Sequence, residues 1–271
     1  MYEKEIEVAK KAAVEAGAVV MDIRRKGAEV EWKGENDPVT EADRAASSFV
    51  IELLKKNFPD DGILSEEEKD DLTRLEKERV WIIDPLDGTK EFVDGLDHFT
   101  VMVGLAIEGK AVLGAVYRPM AKDLFYAAPG IGAWEQKDGE RVSLKVSDPV
   151  ELPETRFLAS RSHLSPLVKQ ATDEMGVHTE PMRLGSVGYK VSILSTAKAD
   201  LYMHLGPGIK EWDSCAPEAI LRVSGGMITD PFGEPLKYNQ KNVKYASGII
   251  ASSGGSVHEA AVKAASVVLS G

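Results

Sequence analysis

The sequence predicts an α/β protein in two parts, an α+β first half and an alternating α/β second half. Two amphipathic helices precede a run of consecutive strands, strands and helices then alternate to the C-terminal end, and a proline-flanked stretch, Asp148-Pro149 to Pro153, separates the halves. The predicted division is residues 1–148 and 149–271, a length that suits one large domain or two coupled ones.

Apolar residues at Ile6, Ala9, Ala13, Ala16, Val20 and Ile23 step by three or four, which places them on one face of an opening helix. A second helix is predicted from Thr40, a hydroxyl cap with Asp43 three residues on. It runs through Ala46, Phe49, Val50, Leu53 and Leu54 to a stop at Pro59. An acidic segment, Ser65 to Glu78, follows. Val80 to Ile83 is short, apolar and β-rich. Phe99 to Ile107 and Ala111 to Tyr117 flank a Glu108-Gly109-Lys110 turn and read as a hairpin, with further strands at Leu124 to Ala127 and Ala133 to Gln136. In the second half, strands are predicted at Arg156 to Ala159, Ala199 to His204, Met227 to Thr229 and Gly248 to Ala251. The helices between and after them are predicted near 165–175, 186–197, 213–223 and 256–268.

Composition narrows the function. With 33 basic and 44 acidic residues the chain carries a net charge of −11, which opposes sequence-independent binding to a nucleic acid polymer or an anionic membrane. A small anionic substrate then needs a local countercharge. The single cysteine, Cys215, excludes an intramolecular disulfide and a Cys-rich zinc site. The first residues lack the apolar core of a signal peptide, and the longest apolar stretch, Val101 to Ile107, is too short to span a bilayer. A soluble cytoplasmic protein is expected. Neither a P-loop nor a dinucleotide fingerprint occurs.

The densest chemical signal is Asp84-Pro85-Leu86-Asp87-Gly88-Thr89, where an apolar strand ends. Pro85 fixes the backbone after Asp84 and Gly88 admits a conformation that larger residues resist. Both carboxylates and the Leu86 carbonyl can therefore converge on one hard cation. A helix starting near Gly88 offers free amides to a phosphate. Read alone, the same residues equally describe a solvated turn. Asp43 in Asp37 to Asp43 equally describes a capping box, Ser65-Glu66-Glu67-Glu68 a solvated charge run, and Asp213 after Trp212 a helix cap.

Taken together, these acids resemble the magnesium-dependent, lithium-sensitive phosphomonoesterases typified by inositol monophosphatase and fructose 1,6-bisphosphatase. The motifs occur in that family's order from Asp37 to about Ala251. The resemblance implies a layered αβαβα sandwich of the sugar-phosphatase type, with a metal-binding first part and a substrate-side second part. It implies that Glu66, Asp84 and the Leu86 carbonyl hold one Mg²⁺, and that Asp84, Asp87 and Asp213 hold another. A weaker third ion would sit near Glu66 and Asp43. Thr89 would lie beside the attacking water with Asp43 and Glu66 as proton acceptors, and the amides of Gly88 and Thr89 would hold the phosphate. Relatives are commonly homodimers, although no interface patch is visible in this sequence.

Within that superfamily, Lys90-Glu91-Phe92, Ser160-Arg161-Ser162-His163 and the run Glu211 to Glu218 look most like the 3′(2′),5′-bisphosphate nucleotidases. The small-molecule ester implied is adenosine 3′,5′-bisphosphate, converted to AMP and phosphate. The runner-up is an inositol monophosphatase or a broad sugar phosphatase. Arg161 and His163 would take the second phosphate, Ser186 would cap a helix facing the same pocket, and Asp213 would touch substrate as well as metal. Nucleotidases often carry a lysine four residues after the glycine of the Gly185 motif. Here Tyr189 stands in that place, with Lys190 beside it. Cys215 is expected to be a packed thiol rather than a nucleophile.

Overall fold

A computed structural model describes residues 1–27, 30–34, 37–161 and 164–270. The chain opens with α1 (Glu3–Lys26), β1 (Val30–Gly34), β2 (Asp37–Thr40) and α2 (Glu41–Asn57). A run of strands follows: β3 (Gly62–Ser65), β4 (Arg79–Asp87), then after a short helix α3 (Thr89–Val93) the strands β5 (Thr100–Ile107), β6 (Lys110–Arg118), β7 (Asp123–Ala128), β8 (Gly132–Lys137) and β9 (Glu140–Ser143). The second half alternates: β10 (Phe157–Ser160), α4 (Pro166–Glu174), β11 (Met182–Leu184), α5 (Val187–Leu194), β12 (Leu201–Leu205) and β13 (Ile209–Lys210). It closes with α6 (Glu211–Val223), β14 (Met227–Thr229), β15 (Lys244–Tyr245), β16 (Gly248–Ser252) and α7 (Gly255–Ser270).

These elements stack as five layers, the αβαβα sandwich expected. Seven strands in the order β3-β4-β5-β6-β7-β8-β9 form the first sheet, antiparallel throughout except for β3 with β4. Side chains alternate across it. Trp81 and Ile83 on β4 pack with the small-residue faces of α1 and α2, while Val80 and Ile82 face α5 and α6 on the other side. The second sheet, β11-β10-β12-β16-β14, covers the far side of α5 and α6 and carries α4 and α7 on its outer face. One apolar cluster holds residues of both sheets, from Leu64 and Ile82 to Leu158 and Ile249, so the interior is continuous through the middle helices.

The seating of α6 depends on two glycines. Gly104 on β5 and Gly114 on β6 pair directly across the strands. A β-carbon on Gly104 would fall 2.8 Å from the Ala216 amide nitrogen and from Cys215 Sγ, and one on Gly114 would fall 2.3 Å from the Ala216 carbonyl oxygen. The helix therefore rests on bare main chain, where no larger residue fits without displacing it. Cys215 is buried in this contact and packs as a small apolar group, as its helical setting suggests.

The main helices and strands lie within a few residues of their predicted positions. The short strands β1, β2, β13 and β15, and with them β3, β11 and β9, carry no counterpart in the sequence reading. Gly62–Ser65 and Met182–Leu184 are four and three residues long, and Glu140–Ser143 is an exposed edge without apolar alternation. No helix among the described residues is long and apolar enough to cross a membrane.

Candidate active site

Asp84 and Asp87 lie three residues apart, a spacing that sends side chains to opposite faces of an uninterrupted strand. Here β4 bulges between them: Asp84 pairs with Met102 and Asp87 with Thr100, so three steps on β4 oppose two on β5. The extra residue turns both carboxylates to one side. Asp213, in the first turn of α6, meets them there, and one carboxylate oxygen from each of the three acids lies within 4.8 Å of the others.

Each acid is held by backbone or side-chain donors. The Leu86 amide donates to Asp84 Oδ1 at 3.0 Å, and the Lys210 amide donates to Asp213 Oδ2 at 2.6 Å. Asp87 Oδ2 accepts from Ser186 Oγ at 2.6 Å, from the Gly188 amide at 2.7 Å and, more weakly, from Thr100 Oγ1 at 3.4 Å. Glu66 follows β3, which runs parallel to β4, and its carboxylate receives the Lys210 ammonium at 3.3 Å.

The electrostatics follow from this crowding. Burial pushes the Asp84 carboxyl well above the usual aspartate range, and the charges of Glu66, Asp87 and Asp213 push it further. Asp213 is raised likewise, first by burial and then by Asp87 and Glu66. Four acids with Lys210 as a nearby cation form an oxygen-rich, electron-rich nest. Hard divalent cations such as Mg²⁺ fit that donor set, because a few carboxylates leave room for water and phosphate oxygens.

Asp43 sits on the other side of the bulge. Its Oδ2 accepts from the Thr40 amide at 2.7 Å and Thr40 Oγ1 at 2.6 Å, the capping box that starts α2, while Oδ1 accepts from Thr89 Oγ1 at 3.0 Å. Cap and site residue are thus one side chain. Burial raises its carboxyl despite these hydrogen bonds. The Thr89 hydroxyl also lies 3.1 Å from the Leu86 carbonyl. Gly88 precedes α3 with φ +97°, and a β-carbon there would meet the His98 carbonyl at 2.7 Å, so the turn that presents Thr89 favours glycine.

The structure thus brings Asp84, Asp87 and Asp213 to one point, sets Glu66 beside them, and joins Asp43 to Thr89. The residues assigned to substrate are arranged differently. Ser186 caps α5 by accepting from the Tyr189 amide, and its hydroxyl reaches Asp87. Arg161 is engaged by Glu91 at 3.1 Å and Asp94 at 2.6 Å. His163 lies outside the described residues. Tyr189 lies under the Arg118 guanidinium, 3.8 Å from Cζ to the ring centroid, whereas Lys190 is buried and lines a cavity of about 400 Å³ beside Asp213. Sequence reasoning missed Thr100 and Lys210. Thr100 carries no motif signal, and Lys210 could have been found as the residue before the Asp213 helix.

Carboxylates gathered at the bulge of β4 and the start of α6, beside a cavity lined by the second half of the chain, are the apparatus of a metal-dependent phosphatase. The chain belongs to the inositol monophosphatase family, whose model matches residues 1–268, and is a phosphatase of that family. It is similar to the 3′(2′),5′-bisphosphate nucleotidase CysQ of Escherichia coli strain K12, at 34% identity over 83% of this chain and 90% of the relative. It is also similar to the Nus factor SuhB of Pasteurella multocida, at 32% identity over 83% of this chain and 84% of the relative. Among solved structures, the Thermotoga maritima IMPase superimposes with a TM-score of 0.81 at 28% identity, covering 100% of this chain and 99% of its own.

Proposed function

We propose that this protein is a Mg²⁺-dependent phosphomonoesterase that removes the 3′-phosphate of adenosine 3′,5′-bisphosphate, releasing AMP and phosphate. The observation that carries the chemistry is the acidic nest with Thr89 at its edge, hydrogen-bonded to a buried carboxylate. The similarity to CysQ supports the choice of nucleotide.

In this reading Glu66, Asp84, Asp87, Asp213 and the Leu86 carbonyl would hold two Mg²⁺, and Glu66 and Asp43 would hold a third more weakly. Bound Mg²⁺ lowers the pKa of water and offsets charge on the phosphoryl oxygens. The protein groups do the rest. Thr89 donates a hydrogen bond to Asp43 and keeps its proton, which leaves its oxygen lone pairs free to accept from and orient the attacking water. Glu66 or Asp43 takes the water's proton as the bond to phosphorus forms. The amides of Gly88 and Thr89 face the transferred phosphate, and the residues after 149 supply Asp213 and the cavity for the leaving group. A small-molecule ester is the partner this charge distribution admits.

A second reading, an inositol or sugar monophosphatase, is favoured by Tyr189 at the position where nucleotidases often carry lysine and by the likeness to the Thermotoga maritima IMPase. Phosphate release from adenosine 3′,5′-bisphosphate, inositol 1-phosphate and fructose 1,6-bisphosphate, with Mg²⁺ and then with EDTA, separates the two. The nucleotide is expected to have the highest kcat/KM, and EDTA to abolish turnover. Preference for either other ester replaces the first reading with the second, and Mg²⁺-independent turnover removes both.

A further inference from the structure

Arg74 lies in a short 3₁₀ turn, Thr73–Glu76, of the connection from β3 to β4, the same connection that begins with Glu66. The arginine is 2% exposed, and burying a guanidinium is costly unless its N–H groups find acceptors. Here they do. Asp70 Oδ2 accepts from Nε at 3.1 Å and from Nη2 at 2.7 Å, Asn239 Oδ1 accepts from Nη1 at 2.8 Å, and the Gln240 carbonyl accepts from Nη2 at 3.0 Å. Asn239 returns the contact, its side-chain amide donating to the Arg74 carbonyl at 3.1 Å and the Lys77 carbonyl at 3.2 Å. Behind Arg74 stands β3, where a β-carbon on Gly62 would lie 3.1 Å from the Arg74 Cβ. The arginine is thus wedged between the strand that leads into Glu66 and a loop of the second half.

That loop is gripped from its other side by Glu211, the fully buried first residue of α6, whose two carboxylate oxygens accept from the Asn239 amide at 2.7 Å and the Gln240 amide at 2.8 Å. Glu211 stands two residues ahead of Asp213, and the Lys210 amide just before it donates to Asp213 Oδ2. Where the loop lies therefore decides where the first turn of α6 comes to rest, and the Asp213 carboxylate with it. We infer that Arg74 is a positioning residue of the acidic nest: it bridges the connection that carries Glu66 to the loop that seats the start of α6, and so sets the separation of Glu66 from Asp213 and the affinity for Mg²⁺. This rests on the phosphatase reading above, in which both acids are ligands, and adds what spaces them. The Lys210–Glu66 ion pair joins the same two elements through partly exposed side chains, whereas this route is anchored on two buried groups, Arg74 and Glu211. A guanidinium suits the task because its planar fork reaches a carboxylate and two further oxygens at once, which a single ammonium nitrogen does not span.

Isothermal titration of Mg²⁺ into the full chain, stripped of metal with EDTA, compares the wild type with Arg74→Lys and Asn239→Gly. The first keeps a charge and loses the fork. The second deletes the side chain that faces Arg74, suits the φ of +57° at that position, and leaves both backbone amides on Glu211. Arg74→Lys is expected to raise the Kd for Mg²⁺ about tenfold or more, and Asn239→Gly about threefold or more, the scale on which groups that orient metal ligands act. Excess Mg²⁺ is expected to recover the loss, with kcat and KM for adenosine 3′,5′-bisphosphate returning to within about threefold of the wild type. A merely structural role would instead lower the amount of folded protein at every Mg²⁺ concentration and leave the Kd of the folded fraction unmoved. Kd values less than about threefold above the wild type's in both variants overturn the inference and leave the phosphatase reading intact. Should Arg74→Lys fail to fold, Asn239→Gly decides by the same threshold. A wild type that binds no Mg²⁺ overturns the phosphatase reading and the inference with it.

Discussion

Thr89 Oγ1 lies 3.0 Å from Asp43 Oδ1, joining the first turn of α3 to the first turn of α2 across 46 residues of chain. The other oxygen of Asp43 is fixed by the Thr40 cap, so the carboxylate cannot rotate away without uncapping α2. Thr89→Val keeps the shape and removes the hydroxyl. Its kcat is expected to fall about 100-fold or more, with a thermal midpoint close to that of the wild type. A variant turning over within threefold of the wild type would remove Thr89 from the chemistry.

Asp84 is crowded by Glu66, Asp87 and Asp213, so its charge destabilises the metal-free protein. Asp84→Asn is expected to raise the metal-free Tm by about 2–4 °C for each kcal/mol of repulsion relieved. The same change should abolish the rise in Tm that Mg²⁺ gives the wild type and lower kcat by about 100-fold or more. Scanning calorimetry with EDTA and with Mg²⁺ checks both directions. An Mg²⁺-induced rise equal to the wild type's would contradict the shared-ligand assignment.

Glu218 on α6 is buried and accepts from the Tyr238 hydroxyl at 2.5 Å, and burial moves its carboxyl from the ordinary 4.5 up to about 7. Between those values the folded protein keeps a proton that the unfolded chain has released. The favourable side of this linkage is therefore complete below pH 4.5, and stability declines as pH rises through about 7. Glu218→Gln cannot titrate and should flatten the decline by about 2 kcal/mol between pH 5 and 8. Urea unfolding at the two pH values measures it, and an identical pH difference in both proteins would disprove it.

Asp200 ties the connection between the sheets to the second one. Its carboxylate accepts from the Arg156 guanidinium at 2.6 and 2.9 Å, from the Arg156 amide at 2.8 Å and from Ser147 Oγ at 2.6 Å. Arg156 is partly exposed, which limits the loss. Asp200→Ala should destabilise the protein by about 2–3 kcal/mol while kcat per folded molecule stays near the wild-type value. Chemical denaturation and active-site-normalised kinetics separate the two effects.

The layers were legible because long periodic segments announce their faces: Ile6 to Val20 and Val80 to Ile83 show which sides are apolar. The acidic nest was legible as a set of residues, since Asp84, Asp87 and Asp213 stand in a recognisable order. Its geometry was not. The bulge that turns Asp84 and Asp87 the same way is a register event between β4 and β5, and no local pattern encodes it. The donors to Asp87 come from Thr100, Ser186 and Gly188, brought together only by packing. Lys190, on an apolar helix, gives no sign in sequence that its amine is buried beside a cavity. α6 packs against strands on both sides of the division expected at 148–149.

The bare glycine pair beneath α6 bears on how such an enzyme can diversify. Since Asp213 rides on a helix touching main chain rather than exchangeable side chains, its separation from β4 is not a quantity that ordinary substitutions can tune. Changes of taste for one ester over another are thereby confined to the walls around the leaving group, and the floor stays fixed.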